Sequence, residues 1–126
     1  HGLGHMLGLD VHDMEGLGED LVGYEFGSDR SDQFGLAYLR LSKELKSGFV
    51  ITVEPGIYFI PHLIEDWAST NKLVDFIIYD EVKKYKGFGG IRIEDNVHIT
   101  ENGHEILGPN IPKTISEIET FMAGNA

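Results

Sequence analysis

The 126 residues include no cysteine. That excludes disulfides, thiolate metal sites and cysteine nucleophiles, and is compatible with a reducing cytoplasm. No run approaches the roughly 18 apolar residues of a membrane span and no secretory leader is visible, so a cytoplasmic location and no membrane partner are expected. The chain opens on His1 rather than Met, which leaves any upstream signal open. Positive charge is scarce: 10 basic residues face 21 acidic ones, for a net charge of −11. Nucleic-acid binders normally carry a basic footprint, so no nucleic-acid partner is expected, and the acidity reads as a solvated surface. Sequence-local catalytic signatures are missing too. There is no HExxH (Gly2 follows His1), no His/Cys cluster of the structural-zinc kind, no GxSxG elbow, no P-loop and no GxGxxG. Internal repeats and low-complexity segments are likewise absent.

The composition is that of an ordinary globular protein, 41% hydrophobic and 25% charged. The length suits one domain, which would typically bury about two-thirds of its unfolded surface. Three of the six histidines fall in the opening stretch HGLGHMLGLDVHD, at His1, His5 and His12. Gly2, Gly4 and Gly8 weaken a helix there. The pattern predicts a glycine-rich loop feeding a short strand over residues 9–12, with Leu9 and Val11 on one face and Asp10 and His12 on the other. Residues 15–35 are acidic and glycine-rich and read as a long loop, of the kind that often rims a functional site.

Beyond that loop, residues 39–41 read as extended, with a turn at Lys46-Ser47-Gly48. Residues 49–53 are β-branched and apolar, a buried strand by composition. Pro55-Gly56 breaks it, and residues 57–60 resume an extended run. Residues 62–86 suggest a helix, because Ile78, Val82 and Tyr85 recur at helical spacing with Asp80 and Glu81 near its start. A strand is expected over 91–99, with a polar interruption at Asp95-Asn96. Glu101-Asn102-Gly103 signals a hairpin, with residues 105–107 returning. Thr114 and Ser116 can each cap a closing helix, since Glu117 and Glu119 follow three residues on; that helix should reach about Ala123, with Gly124 as its stop.

Two carboxylates stand out against these apolar runs. Glu54 ends a strand directly before a Pro-Gly break, either facing solvent or aimed into a site. Alternation through Ile91-Arg92-Ile93-Glu94 points Arg92 and Glu94 the same way, as an exposed ion pair or as part of a buried polar face. A buried polar face needs partners, and a metal ion with a supporting arginine supplies them. A mixed histidine and carboxylate set suits Mn²⁺, Fe²⁺, Co²⁺ or Zn²⁺.

Taken together, HGLGHMLGLDVHD, TVEPGIYFI and FGGIRIEDNVHIT resemble the C-terminal signature of the pita-bread metallopeptidases, in the branch of aminopeptidase P and prolidase. The match runs in order over nearly the whole chain, through the loop after His12 and the closing IPKTISEIE helix. The resemblance implies an α+β fold: the second half of a pita-bread catalytic domain, a curved antiparallel sheet with flanking helices. It implies hydrolysis of the bond before proline in Xaa-Pro peptides, by a hydroxide shared between two divalent ions, usually manganese. His5, Glu54 and Glu94 match metal ligands, with Glu94 bridging the ions. His1 and His12 match histidines that contact substrate and assist proton transfer, and Arg92 matches an arginine supporting the site from behind the ligands.

The family's two aspartate ligands lie upstream of the histidine stretch and have no counterpart here; Asp10 and Asp13 match other positions. Residues 1–126 are therefore expected to be the C-terminal part of the catalytic domain, without its first half or the amino-terminal domain. Such a piece should hold one ion or none and be inactive or nearly so. A sheet edge and an apolar face should be exposed, so a homo-oligomer is expected. Aminopeptidase and dipeptidase activities stay nearly balanced, with YFIPHLI and KGFGGIRIEDN slightly prolidase-like. The alternative class is a non-catalytic pita-bread binding protein, which the three intact ligand positions disfavour.

Overall fold

The computed structural model describes residues 2–124. In chain order the elements are a 3-10 turn Glu15–Leu17, α1 (Glu19–Gly23), β1 (Val50–Val53), β2 (Gly56–Tyr58), α2 (Pro61–Ser69), α3 (Tyr79–Val82) with a 3-10 turn Lys83–Tyr85, β3 (Gly90–Arg92), β4 (Asp95–Thr100), β5 (Gly103–Leu107) and α4 (Ile115–Gly124). They fall into two units: one runs to Pro55 and resumes at Ile93, and the other is Gly56–Arg92.

In the first unit an antiparallel sheet has the order β1-β4-β5. Ile51 lies opposite Val97, and Val97 opposite Ile106, so one face is a row of β-branched side chains. Thr52 opposite Asn96 belongs to the other face. Along the second edge of β1 runs the segment 3–7, antiparallel through the Met6–Ile51 bridge. Leu7 N–H donates to Val50 O at 2.9 Å, Thr52 N–H to His5 O at 2.9 Å and Glu54 N–H to Leu3 O at 2.7 Å. Gly4 makes this approach possible, since a Cβ there would lie 2.0 Å from the Thr52 carbonyl oxygen.

The extended piece of the opening stretch is thus 3–7, not the expected 9–12. Residues 8–13 bend instead, closed by Asp13 N–H to Met6 O at 3.2 Å, and both Leu9 and Val11 are exposed. Alternation over four residues carried too little apolar burial to make a strand. The expected loop over 15–35 includes a 3-10 turn and α1, and it is pinned by Arg30. That guanidinium donates to Asp20, Glu19 and the Leu39 carbonyl and lies 4.8 Å from the Tyr24 ring centroid.

The expected helix over 62–86 is two helices. Asn71 and Leu73 take left-handed φ values of 52° and 56° in the turn that separates them. In the second unit β2 pairs with β3, and Ile64 is the buried apolar side chain. The strand expected over 91–99 breaks at residues 93–94 rather than at Asp95-Asn96. The hairpin at Glu101-Asn102-Gly103 forms between β4 and β5 as predicted.

The core of the first unit is small. Tyr24, Ile51 and Val97 are its buried apolar residues, while Leu45, Ile51, Val53, Val97, Ile99 and Ile106 line a groove of about 490 Å³. Burial therefore falls short of the expectation for a chain of this length, because among the described residues no element lies over that face.

At α4, Thr114 rather than Ser116 is the cap. Glu117 N–H donates to Thr114 Oγ1 at 3.3 Å, and the Glu117 carboxylate accepts the backbone N–H groups of Thr114 at 2.9 Å and Lys113 at 3.1 Å. These N–H groups, that of Thr114 first, hold the Glu117 carboxyl below its ordinary value. A depressed carboxyl contributes stability above its unfolded value and loses it as pH falls through the folded one. Acidification through the lower carboxylate range is expected to lower the protection factors of amides in the first turn of α4, measured against intrinsic exchange at each pH. Glu117→Ala should show low protection throughout; protection in that turn that does not change with pH in the unsubstituted chain would contradict the cap.

Candidate metal centre

The edge segment 3–7 and the end of β1 bring two sequence-predicted ligands together. His5 and Glu54 come from strands paired edge to edge, and both side chains are buried. His5 Nε2 stands 3.2 Å from Glu54 Oε1. His5 Nδ1 is 2.9 Å from the Met6 carbonyl oxygen. A carbonyl only accepts, so Nδ1 carries a proton and Nε2 is the nitrogen turned toward the carboxylate. A buried ring nitrogen and a carboxylate oxygen at this distance are joined by a proton or by a cation held between them. Ligand bonds of about 2.1 Å meeting near a right angle set neighbouring donors about 3 Å apart. The 3.2 Å spacing suits a direct His5–Glu54 ion pair and equally one corner of a divalent-ion site.

Thr52 completes the arrangement. It is 1% exposed, and its hydroxyl accepts His5 backbone N–H at 3.1 Å while donating to Glu54 Oε1 at 3.1 Å. No buried polar side-chain atom among the described residues lacks a hydrogen-bond partner.

His12 stacks edge-on against His5, with ring centroids 4.2 Å apart at 88°. Arg40 donates from one terminal nitrogen to His12 Nδ1 at 2.9 Å and also to Glu15. Since a guanidinium only donates, Nδ1 of His12 accepts, which places the ring proton on Nε2. His12 is partly exposed, whereas His5 is sealed.

Glu94 occupies the break just before β4 and is half-buried. The last pair of the β1–β4 ladder is Val53 with Asp95, so Glu54 and Glu94 are the next residues in register, opposite one another. Across the break Ile93 N–H donates to Pro55 O at 3.1 Å. Among the described residues no three histidine or acidic side chains converge as a complete metal cluster. Arg92 ends β3 in the second unit, opposite Gly56, and is exposed. His1 lies outside the described residues.

Three participants escaped the sequence reading. Thr52 carried a signal, since Thr52 and Glu54 share a face at a spacing of two within an apolar strand. Arg40 and Glu15 carried none, because their meeting with His12 depends on how the loop 15–40 folds back.

Comparison with known proteins bears on the whole chain. Residues 1–101 match the model of metallopeptidase family M24. Human Xaa-Pro dipeptidase is 44% identical over 124 residues, covering 98% of this chain and 24% of that protein. A probable Xaa-Pro aminopeptidase of Emericella nidulans is 46% identical over 123 residues, again with 98% and 24% coverage. Among solved structures, Escherichia coli aminopeptidase P superposes with a TM-score of 0.60 at 36% identity, covering all of this chain and 20% of that one. The chain thus spans about a quarter of the length of the curated relatives it matches. The pita-bread fold read from the motifs is that of these structural neighbours.

The close approach at Gly4 yields a test. Gly4→Ala would force the edge segment away from β1, at a cost of about 1–3 kcal/mol typical of overpacking. The amides of Thr52 and Glu54 are expected to lose protection against hydrogen exchange while those of Val97 and Ile99 keep theirs. Unchanged protection at Thr52 would show that the segment does not depend on the glycine.

Proposed function

Because this chain belongs to metallopeptidase family M24, we propose that it is the C-terminal part of the catalytic domain of a two-metal Xaa-Pro peptidase, acting in the cytoplasm on peptides with proline in second place. The observation that carries this reading is the buried His5–Glu54 pair, a ring nitrogen and a carboxylate oxygen at a spacing that suits a shared cation. Glu94, opposite Glu54 in register, is the third ligand we assign. Manganese is the metal we propose, with cobalt, zinc or iron suited to the same donors. One structural neighbour is described as zinc-substituted E. coli aminopeptidase P in complex with product.

Divalent ions bound there would supply Lewis acidity, lowering the pKa of water so that hydroxide is available at neutral pH. The chain's own residues supply the rest. His5 turns its Nε2 toward Glu54, and the hydrogen bond of its other nitrogen to the Met6 carbonyl holds the ring in that orientation. Glu54 sits where it can take up the proton that the attacking water loses. His12, with its proton on Nε2, donates to the oxygen that gains charge as the Xaa carbonyl is attacked. Arg40 and Glu15 hold that ring in orientation. His1 is assigned to the proline side of the substrate and Arg92 to support of the ligands, both by their match to the family motif. The scissile bond is a tertiary amide without an N–H, so proline is selected by pocket shape and these polar contacts.

The test uses the complete reading frame that contains this chain. With Mn²⁺ it should cleave Gly-Pro or a longer Xaa-Pro peptide, and the preferred length separates dipeptidase from aminopeptidase. His5→Ala should lower kcat/KM at least about 100-fold, the upper range of losses seen behind metal ligands. Inactivity with Mn²⁺, Co²⁺ and Zn²⁺ alike would favour a binding protein instead.

The 126 residues alone, without two aspartate ligands, should show under about 1% of that activity, since open metal chemistry needs the full ligand set. The same sample should self-associate through the apolar groove of the β1-β4-β5 sheet. Full-strength cleavage by this piece would overturn the ligand count, and a monomer at high concentration in light scattering would overturn the association.

A further inference from the structure

Thr52 is more enclosed than either ligand beside it, at 1% exposed against 3% for His5 and 7% for Glu54. We infer that it is a positioning residue: its hydroxyl ties the backbone of His5 to the carboxylate of Glu54 and so fixes Oε1 on the histidine side. The inference rests on the peptidase reading above and adds to it a residue that binds neither metal nor substrate.

The direction of the two hydrogen bonds follows from chemistry. A hydroxyl has one proton and two lone pairs. His5 N–H can only donate, so at 3.1 Å the Thr52 oxygen accepts. Its single proton is then left for Glu54 Oε1, also at 3.1 Å, and an ionised carboxylate there can only accept. With Glu54 ionised, this is the arrangement that satisfies both bonds. A threonine is also stiff at its first side-chain torsion, and burial keeps water from competing for either bond. The hydroxyl is therefore a spacer of fixed length and polarity between the two strands that carry the ligands. By occupying one lone pair of Oε1 it restricts the directions from which that oxygen can meet a cation near His5 Nε2, 3.2 Å away.

Hydrogen-bond partners behind metal ligands typically contribute 10–100-fold to metal affinity. In the full-length protein, Thr52→Val keeps the shape of the side chain and removes the hydroxyl, whereas Thr52→Ser keeps the hydroxyl and removes the methyl. Titration with Co²⁺, followed by its visible absorption band, should show affinity about 10–100-fold weaker and an altered band for Thr52→Val. Thr52→Ser should stay within about threefold of the parent, with the parent's band. A merely structural threonine would lower the melting temperature and leave the band in place. Parental affinity and band in folded Thr52→Val would overturn the inference, as would a loss in Thr52→Ser equal to that in Thr52→Val. Where Thr52→Val does not fold, Thr52→Ala removes the same hydroxyl and is judged by the same criteria. A parent that binds no Co²⁺ would overturn both this inference and the peptidase reading; a binding parent with an unaffected Thr52→Val overturns only the role of Thr52.

Discussion

The contact on which the site depends is between two backbones, not two side chains. Segment 3–7 lies against β1 closely enough for three cross-strand hydrogen bonds, and only a residue without a Cβ can occupy position 4 at that distance. Once the strands are seated, period-two alternation does the rest. His5 and Thr52 share a face, Glu54 follows on that face two residues later, and the bend after Leu7 returns His12 to the side of His5. The opening stretch gathers three histidines, of which the motif resemblance made one a metal ligand. The geometry separates two of them: His5 is buried, and His12 stands partly exposed against its ring.

The β1-β4-β5 sheet divides its labour by face. One face presents Thr52, Glu54 and Asn96, and the other presents Ile51, Val53, Val97, Ile99 and Ile106. Buried polar groups are tolerated on the first face because each is hydrogen-bonded: Thr52 to both neighbours, His5 to the Met6 carbonyl. The second face has no such need, but apolar surface left open costs free energy through its hydration. A sheet with this division calls for cover on its apolar side.

Features set by nearest neighbours were legible in the sequence. The β-branched run of β1, the Asn102-Gly103 hairpin and the Thr114/Glu117 cap all formed where the residue types placed them. Features set by longer-range closure were not. Alternation over residues 9–12 matched a strand pattern, yet Leu9 and Val11 found nothing to pack against and the chain bent. The helical spacing of Ile78, Val82 and Tyr85 was real, but the segment before it turned through left-handed residues instead of continuing a helix. At the site, the pairing of His5 with Glu54 was legible from the motif resemblance, and the physics of their meeting was not. Arg40 reaches His12 across 28 positions, a distance at which no local pattern operates.

Glu94 lies in a break in regular structure. Had β3 and β4 been one uninterrupted strand, Arg92 and Glu94 would have shared a face in strict alternation. Instead the ladder stops at Val53 and Asp95, and Ile93 N–H reaches the carbonyl of Pro55, which itself has no N–H to give. Proline after Glu54 and the interruption before Asp95 are two sides of one irregularity. Residues 54 and 94 fall at that irregularity, as the next positions in register beyond the last pair of the ladder. The break therefore sets two acidic residues at the same end of the sheet, one of them already beside His5 Nε2.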